Sequence, residues 1–147
     1  LKKPQNKPRA RCSRKGLAQA QAVAKTKVTV KAAALDGGFV ECQGCGHYFD
    51  TIDASHKVQL SKSSDLASDP GNLRLLCRSC HDKWGEGTVP EMIQLRCFVE
   101  DMHYLLDLDP ERFWKIHFRL IDEYVLRPTP ALERVISKIE RFCEELA

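Results

Sequence analysis

The sequence predicts an α+β protein: a small metal-clamped module of β-ribbon and short helix, then a helical C-terminal region, with a disordered basic arm in front. Three observations predict it. Cys-x-x-Cys occurs twice, at Cys42/Cys45 and Cys77/Cys80, with 31 residues between the pairs. Residues 90–146 carry apolar positions at helical spacing, punctuated by Asp109-Pro110 and Thr129-Pro130. Residues 1–31 hold ten Lys or Arg and no acid, whereas the other 116 residues hold thirteen basic and twenty acidic ones.

The arm comes first. Residues 1–15 contain Pro4 and Pro8, most of the arm's charge and almost nothing apolar, so they cannot bury enough surface to fold alone. Residues 16–34 are rich in Ala with Lys and Gln between, a helix-permissive composition weakened by Val28, Thr29 and Val30. They lack the apolar stripe that would dock a helix on a core, so this segment is expected to order only on a partner. A basic arm on an acidic body points to a polyanion. Lys2, Lys3, Lys7, Arg9, Arg11, Arg14, Lys15, Lys25, Lys27 and Lys31 are therefore the candidate DNA-binding residues. A solvated tail is the competing reading. "DGG", 36–38, marks the expected boundary, giving an arm over 1–35, a module over 36–88 and a helical region over 89–147.

In the module, "FVECQGCGHYFDTIDASHKVQL" sets short apolar stretches around a glycine-punctuated Cys-x-x-Cys, which reads as a β-ribbon with a knuckle at its tip. "SKSSDLASDPG", 61–71, is a loop by composition. "NLRLLCRSCHDKW" reads as a turn leading into a short helix, closed by "GEG".

Three helices follow. Pro90 suits the first turn of one over about 90–106, with Met92, Ile93, Leu95, Val99, Met102 and Leu105 apolar. Asp109-Pro110 is an N-cap followed by Pro at the first helical position, opening a helix to about 126. Thr129-Pro130 repeats the device, and Leu132, Val135, Ile136, Ile139, Phe142, Cys143 and Leu146 give its apolar face.

No apolar run approaches the roughly 20 residues of a membrane span, and the signal-peptide pattern is missing. In such a chain, paired Cys-x-x-Cys favours metal over disulfides, so a reducing, cytoplasmic setting is expected. Four thiolates in two pairs make a closed tetrahedral zinc site with no open position, which is structural. The zinc would pin together the two ends of the segment between the pairs.

His81 follows Cys80 directly. One residue is a turn of about 100° around a helix. When Cys80 points at the metal, His81 therefore points to one side of it. Across the segment lie His56, at the end of the expected strand, and Asn72. His, Asn, His in that order, framed by both cysteine pairs and with "GNLRLLCRSCH" contiguous, resembles the HNH endonuclease family, the zinc-clamped branch of the ββα-metal nucleases. The match covers about 42–84.

The resemblance implies hydrolysis of phosphodiester bonds in DNA. It implies His56 as general base on water, His81 as ligand of a divalent cation, Mg²⁺ or Mn²⁺, and Asn72 as the residue that holds the hairpin turn and so orients His56. In that family the residue before the first histidine is often Asp or His and completes the metal shell; here it is Ser55. Asp53, on the same strand face, is the substitute candidate, and a water is the alternative. The wider arrangement, with its "CSRKGLAQAQAVAK" arm, is similar to that of phage recombination-enhancement nucleases, which cut DNA where a RecA filament has paired a strand. That implies DNA and a RecA nucleoprotein filament as partners. Two alternatives stay open: a RecA-independent phage HNH nicking or restriction endonuclease, and a non-catalytic zinc-ribbon DNA-binding protein. His47 reads as exposed. His103, His117, Cys97 and Cys143 show no spacing that would make a second metal site.

Overall fold

The computed structural model of the protein describes residues 13–35, 37–59 and 65–146. The chain runs α1 (Arg14–Ala34), β1 (Val40–Glu41), β2 (Tyr48–Phe49), β3 (Asp53–His56), a 3-10 turn (Pro70–Asn72) and β4 (Leu73–Leu76). Then come α2 (Arg78–Lys83), α3 (Val89–Met92), α4 (Phe98–Leu108), α5 (Pro110–Leu126) and α6 (Pro130–Glu145). It is α+β, with two small antiparallel hairpins and a helical C-terminal region.

β1 and β2 pair as Val40 with Phe49 and Glu41 with Tyr48. Between them the chain turns through the first cysteine pair. Gly46 sits at φ 78, a conformation open to glycine at little cost. Its N–H donates to the Cys42 carbonyl at 2.8 Å. β3 and β4 pair from Asp53 with Leu76 to His56 with Leu73. The two hairpins are tied together by Gln43, whose N–H donates to the Leu75 carbonyl (2.9 Å) and whose Oε1 accepts from the Leu75 N–H (2.8 Å).

Residues 73–76, expected as part of a turn entering a helix, are instead strand β4. Leu73, Arg74 and Leu76 are buried there, so both faces of the strand are covered, and the ladder to β3 pairs their backbone. The helix begins only at Arg78, with Cys77 at its N-cap.

The C-terminal caps form where expected. Asp109 accepts from the Arg112 N–H at 3.2 Å and Thr129 from the Leu132 N–H at 3.2 Å. The single helix expected over 90–106 is corrected to two, α3 and α4. A capping box of Thr88 and Glu91 starts α3. The chain then leaves the helix because the Arg96 N–H donates to the Gly44 carbonyl of the knuckle at 2.9 Å. A backbone donor spent on a distant carbonyl cannot also close an α-helical turn.

α4, α5 and α6 pack pairwise around Phe98, Met102, Leu105, Phe113, Leu120, Leu132 and Ile139, all almost completely buried. Each such side chain is worth about 1.5–3 kcal/mol of transfer free energy. Trp84 meets Phe98 edge to face, with ring centroids 5.9 Å apart, so one apolar core runs from the cysteine knuckle to the helices. A polar tie crosses the same seam: Arg74 of β4 donates to Asp101 of α4 at 2.6 Å and reaches Glu100 at 2.9 Å. Burial pushes the Asp101 carboxyl up from its usual range against the pull of Arg74.

The expectation that residues 16–34 order only on a partner is corrected. Arg14–Ala34 is a helix, capped by Ser13, whose side chain accepts from the Gly16 N–H at 3.1 Å. It docks without a stripe. Val23 is its one buried side chain, Thr26 Oγ1 donates to the Ser68 carbonyl at 3.1 Å, and Ala34 and Leu35 pack on the core. A few point contacts replace the continuous face that the pattern lacked. Lys2, Lys3, Lys7, Arg9 and Arg11 lie outside the described residues. Among the described residues no helix is long and apolar enough to cross a membrane.

Candidate active site and metal clamp

The four cysteines converge. Cys42 follows β1, Cys45 lies in the knuckle, Cys77 caps α2 and Cys80 sits within it. Their sulfur atoms all lie within 4.8 Å of one another. Tetrahedral zinc with Zn–S bonds of about 2.3 Å needs sulfurs about 3.8 Å apart, so the donor set fits a structural metal such as zinc.

The backbone is arranged for thiolates. Cys42 Sγ accepts from the Cys77 N–H at 3.2 Å and the Gly44 N–H at 3.4 Å. Burial pushes the Cys42 thiol up, but these donors and Cys45 outweigh it and bring the pKa down to about 7. Burial and the neighbouring sulfurs push Cys80 well above the usual thiol range. Four crowded sulfurs cannot all ionise unaided, and a dication removes that conflict. A Cβ on Gly44 would stand 2.9 Å from the Cys80 sulfur, so only glycine passes under the site.

β3 and α2 then bring the histidines together. His56 and His81 line one cleft of about 540 Å³, with Ser55, Lys27, Arg78 and Arg112 among its other walls. His56 Nε2 lies 2.9 Å from the Ala67 carbonyl. A carbonyl can only accept, so Nε2 carries the proton and Nδ1 keeps a lone pair. That is the tautomer a general base needs.

Asn72 is fully buried and does not line the cleft. Its Oδ1 accepts from the Val58 N–H at 2.8 Å, and its Nδ2 donates to the carbonyls of Val58 (3.1 Å) and Leu66 (3.0 Å). It ties the end of β3 to the segment that carries Ala67, and thereby fixes the partner of His56.

His81 Nδ1 lies 3.2 Å from Asp53 Oδ2, an oxygen that Arg78 also approaches at 3.6 Å. One imidazole and one carboxylate side by side at the cleft's edge form a donor set that suits a hard divalent cation, which keeps its remaining positions for water and phosphate. Ser55 is buried beside them.

His47 is exposed. His103 stacks on Phe142 with centroids 4.4 Å apart, and His117 is buried beside Phe113. Among the described residues the four cysteines are the one group of three or more Cys, His, Asp or Glu side chains placed to hold a metal.

Three cleft residues were not visible as such in the sequence. Lys27 read as one of ten arm charges, and Arg78 and Arg112 gave no local signal. Arg112 reaches the cleft from α5: its guanidinium donates to the Lys57 carbonyl at 2.9 Å and lies over the Trp84 ring at 5.6 Å. Burial lowers its pKa.

The His56 pKa is lowered from its ordinary value of 6.5, first by burial, against the Ala67 carbonyl, and further by the nearby Lys27 and His81. A base works deprotonated, so a lowered pKa moves the active range toward acid. If His56 is the general base of a metal-dependent DNA cleavage, kcat/KM at saturating metal should rise with pH through a midpoint below 6.5 and then level off. A pH–rate profile with its midpoint above 6.5 would contradict this assignment of the base.

Residues 42–87 match the family model of the HNH endonuclease. The match takes in both cysteine pairs, β2, the β3–β4 hairpin and α2, and it supports a nuclease of the HNH type, a hydrolase with DNA as its substrate. No curated protein and no solved structure matches the chain.

Proposed function

We propose that this protein is a metal-dependent DNA endonuclease of the HNH type that acts in phage recombination, in the host cytoplasm, at DNA paired by RecA. The observation that carries the nuclease reading is the cleft itself, lined by His56, whose Nε2 is held by the Ala67 carbonyl, and by His81, whose Nδ1 lies against Asp53. In this reading His56 Nδ1 takes a proton from water in line with the scissile phosphate. His81 and Asp53 hold the divalent cation, Mg²⁺ or Mn²⁺, which when bound supplies Lewis-acid stabilisation to the phosphate and the leaving oxygen. Asn72 is a positioning residue for His56. Arg14, Lys15, Lys25, Lys27 and Lys31 of α1, with the five cations before them, supply affinity for the DNA backbone.

Support for the recombination role is the likeness to the phage nuclease Ref in layout: a basic Ala/Lys arm, a zinc-clamped centre and a helical C-terminus. A second reading, RecA-independent nicking, is favoured by one observation. α1 already packs beside the cleft, so basic charge reaches the site without a partner protein.

A plasmid-nicking assay separates the readings. Mg²⁺-dependent cutting that EDTA stops is the expected result. It should be weak on bare duplex and strong once RecA, ATP and a homologous oligonucleotide are added. Equal cutting without RecA removes the recombination role and leaves the nuclease. DNA binding with no cutting under any of these conditions leaves a zinc-ribbon DNA-binding protein.

A further inference from the structure

We infer that Lys27, carried on the helix that precedes the family-matched segment, is a phosphate-contacting residue of the active-site cleft rather than one of several interchangeable arm charges. The inference rests on the nuclease reading and names part of how that site grips its substrate.

Placement is the argument. Thr26 is fixed to the Ser68 carbonyl at 3.1 Å, and Val23 is buried one turn earlier. These contacts set the rotation of α1 against the segment that also holds His56 through Ala67. Lys27, the next residue round the helix, then lines the same cleft as His56 and His81. The other described basic residues of α1, Arg14, Lys15, Lys25 and Lys31, do not line it.

Charge bookkeeping singles it out further. Arg78, also on the cleft, is paired with Asp82 at 3.1 Å and faces Asp53 at 3.6 Å. Asp82 and Glu86 are the acids on the lining. Among the described residues no carboxylate is paired with Lys27 or Arg112. A long lysine stem lets an ammonium reach a phosphate as a mobile point charge. Beside the base, the natural ligand for that charge is a non-bridging oxygen of the scissile phosphate or of its neighbour on the same strand. The helix outside the HNH segment thus adds a positive charge to the cleft that His56 and His81 line.

The test compares Lys27→Ala, Lys27→Arg and Lys25→Ala in the full chain. Lys25→Ala removes the same charge from the same helix two residues away, at an exposed position. Single-turnover nicking at saturating DNA and Mg²⁺ is measured beside DNA affinity and melting temperature. One charge-assisted phosphate contact is worth roughly 10- to 100-fold in rate. Lys27→Ala should lose that much of the saturated rate with its melting temperature kept, Lys27→Arg should recover much of it, and Lys25→Ala should show its loss in DNA affinity and not in the saturated rate. Lys27→Ala and Lys25→Ala showing the same rate would overturn the inference while leaving the nuclease intact. A parent chain that never cuts would instead remove the nuclease reading, and this inference with it.

Discussion

Replacing Cys42 or Cys80 by Ser should release the clamp metal and unfold the module around it. Cys42 is fully buried and its sulfur is held by two backbone N–H groups. Serine offers a shorter, harder donor with a far higher pKa, so it neither reaches the metal nor ionises there. Structural zinc contributes about 10–16 kcal/mol at neutral pH, comparable to the whole stability of an ordinary domain at about 5–15 kcal/mol. The hairpins cannot make up that loss. They hold only two- and four-residue strands, and their apolar residues share one core with Trp84. Metal content by mass spectrometry should fall below one per chain, and the melting transition should drop or split, with α4–α6 melting last. A Cys80→Ser variant that keeps one metal and the parental transition would refute the four-cysteine site.

The second large effect falls on chemistry alone. His56→Ala should reduce DNA cleavage by roughly 10²–10⁴-fold, the usual worth of a positioned base, while leaving DNA affinity and metal content near those of the parent. Three facts confine the effect. His56 is not a clamp ligand. The one described hydrogen bond of its side chain is to the Ala67 carbonyl. The neighbouring segment is held independently through Asn72. Near-normal nicking by His56→Ala would sink the mechanism. Loss of DNA binding in step with loss of cleavage would show that the residue serves docking.

Local spacing made the clamp and the His–Asn–His order readable from the sequence. Ligand geometry dictates Cys-x-x-Cys, and a one-residue offset on a helix separates Cys80 from His81. The caps at Asp109 and Thr129 were equally readable, because a capping side chain acts within three residues. What stayed hidden was set by distant partners. The break between α3 and α4 comes from Arg96 spending its N–H on Gly44. The Arg74–Asp101 pair joins residues that share no local pattern. The docking of α1 hangs on Val23 and Thr26, two contacts too sparse to register as an amphipathic stripe. Arg112 enters the cleft only because α5 folds back over Trp84.

One side chain has a consequence for how this fold can vary. Asn72 grips the backbone of Val58 on both its N–H and its carbonyl, and that of Leu66 as well. The stretch from Val58 to Leu66 is thereby a ring closed by a carboxamide, with its ends fixed whatever lies between them. Lengthening a closed ring is cheap: each doubling costs only about 0.6 kcal/mol of closure entropy. Inserted residues would not shift His56, which sits before the closure, or Ala67, which sits after it. The spacing of His56 and Ala67 and the length of this stretch are therefore independent variables, and the chain is free to gain or shed residues beside the candidate cleft.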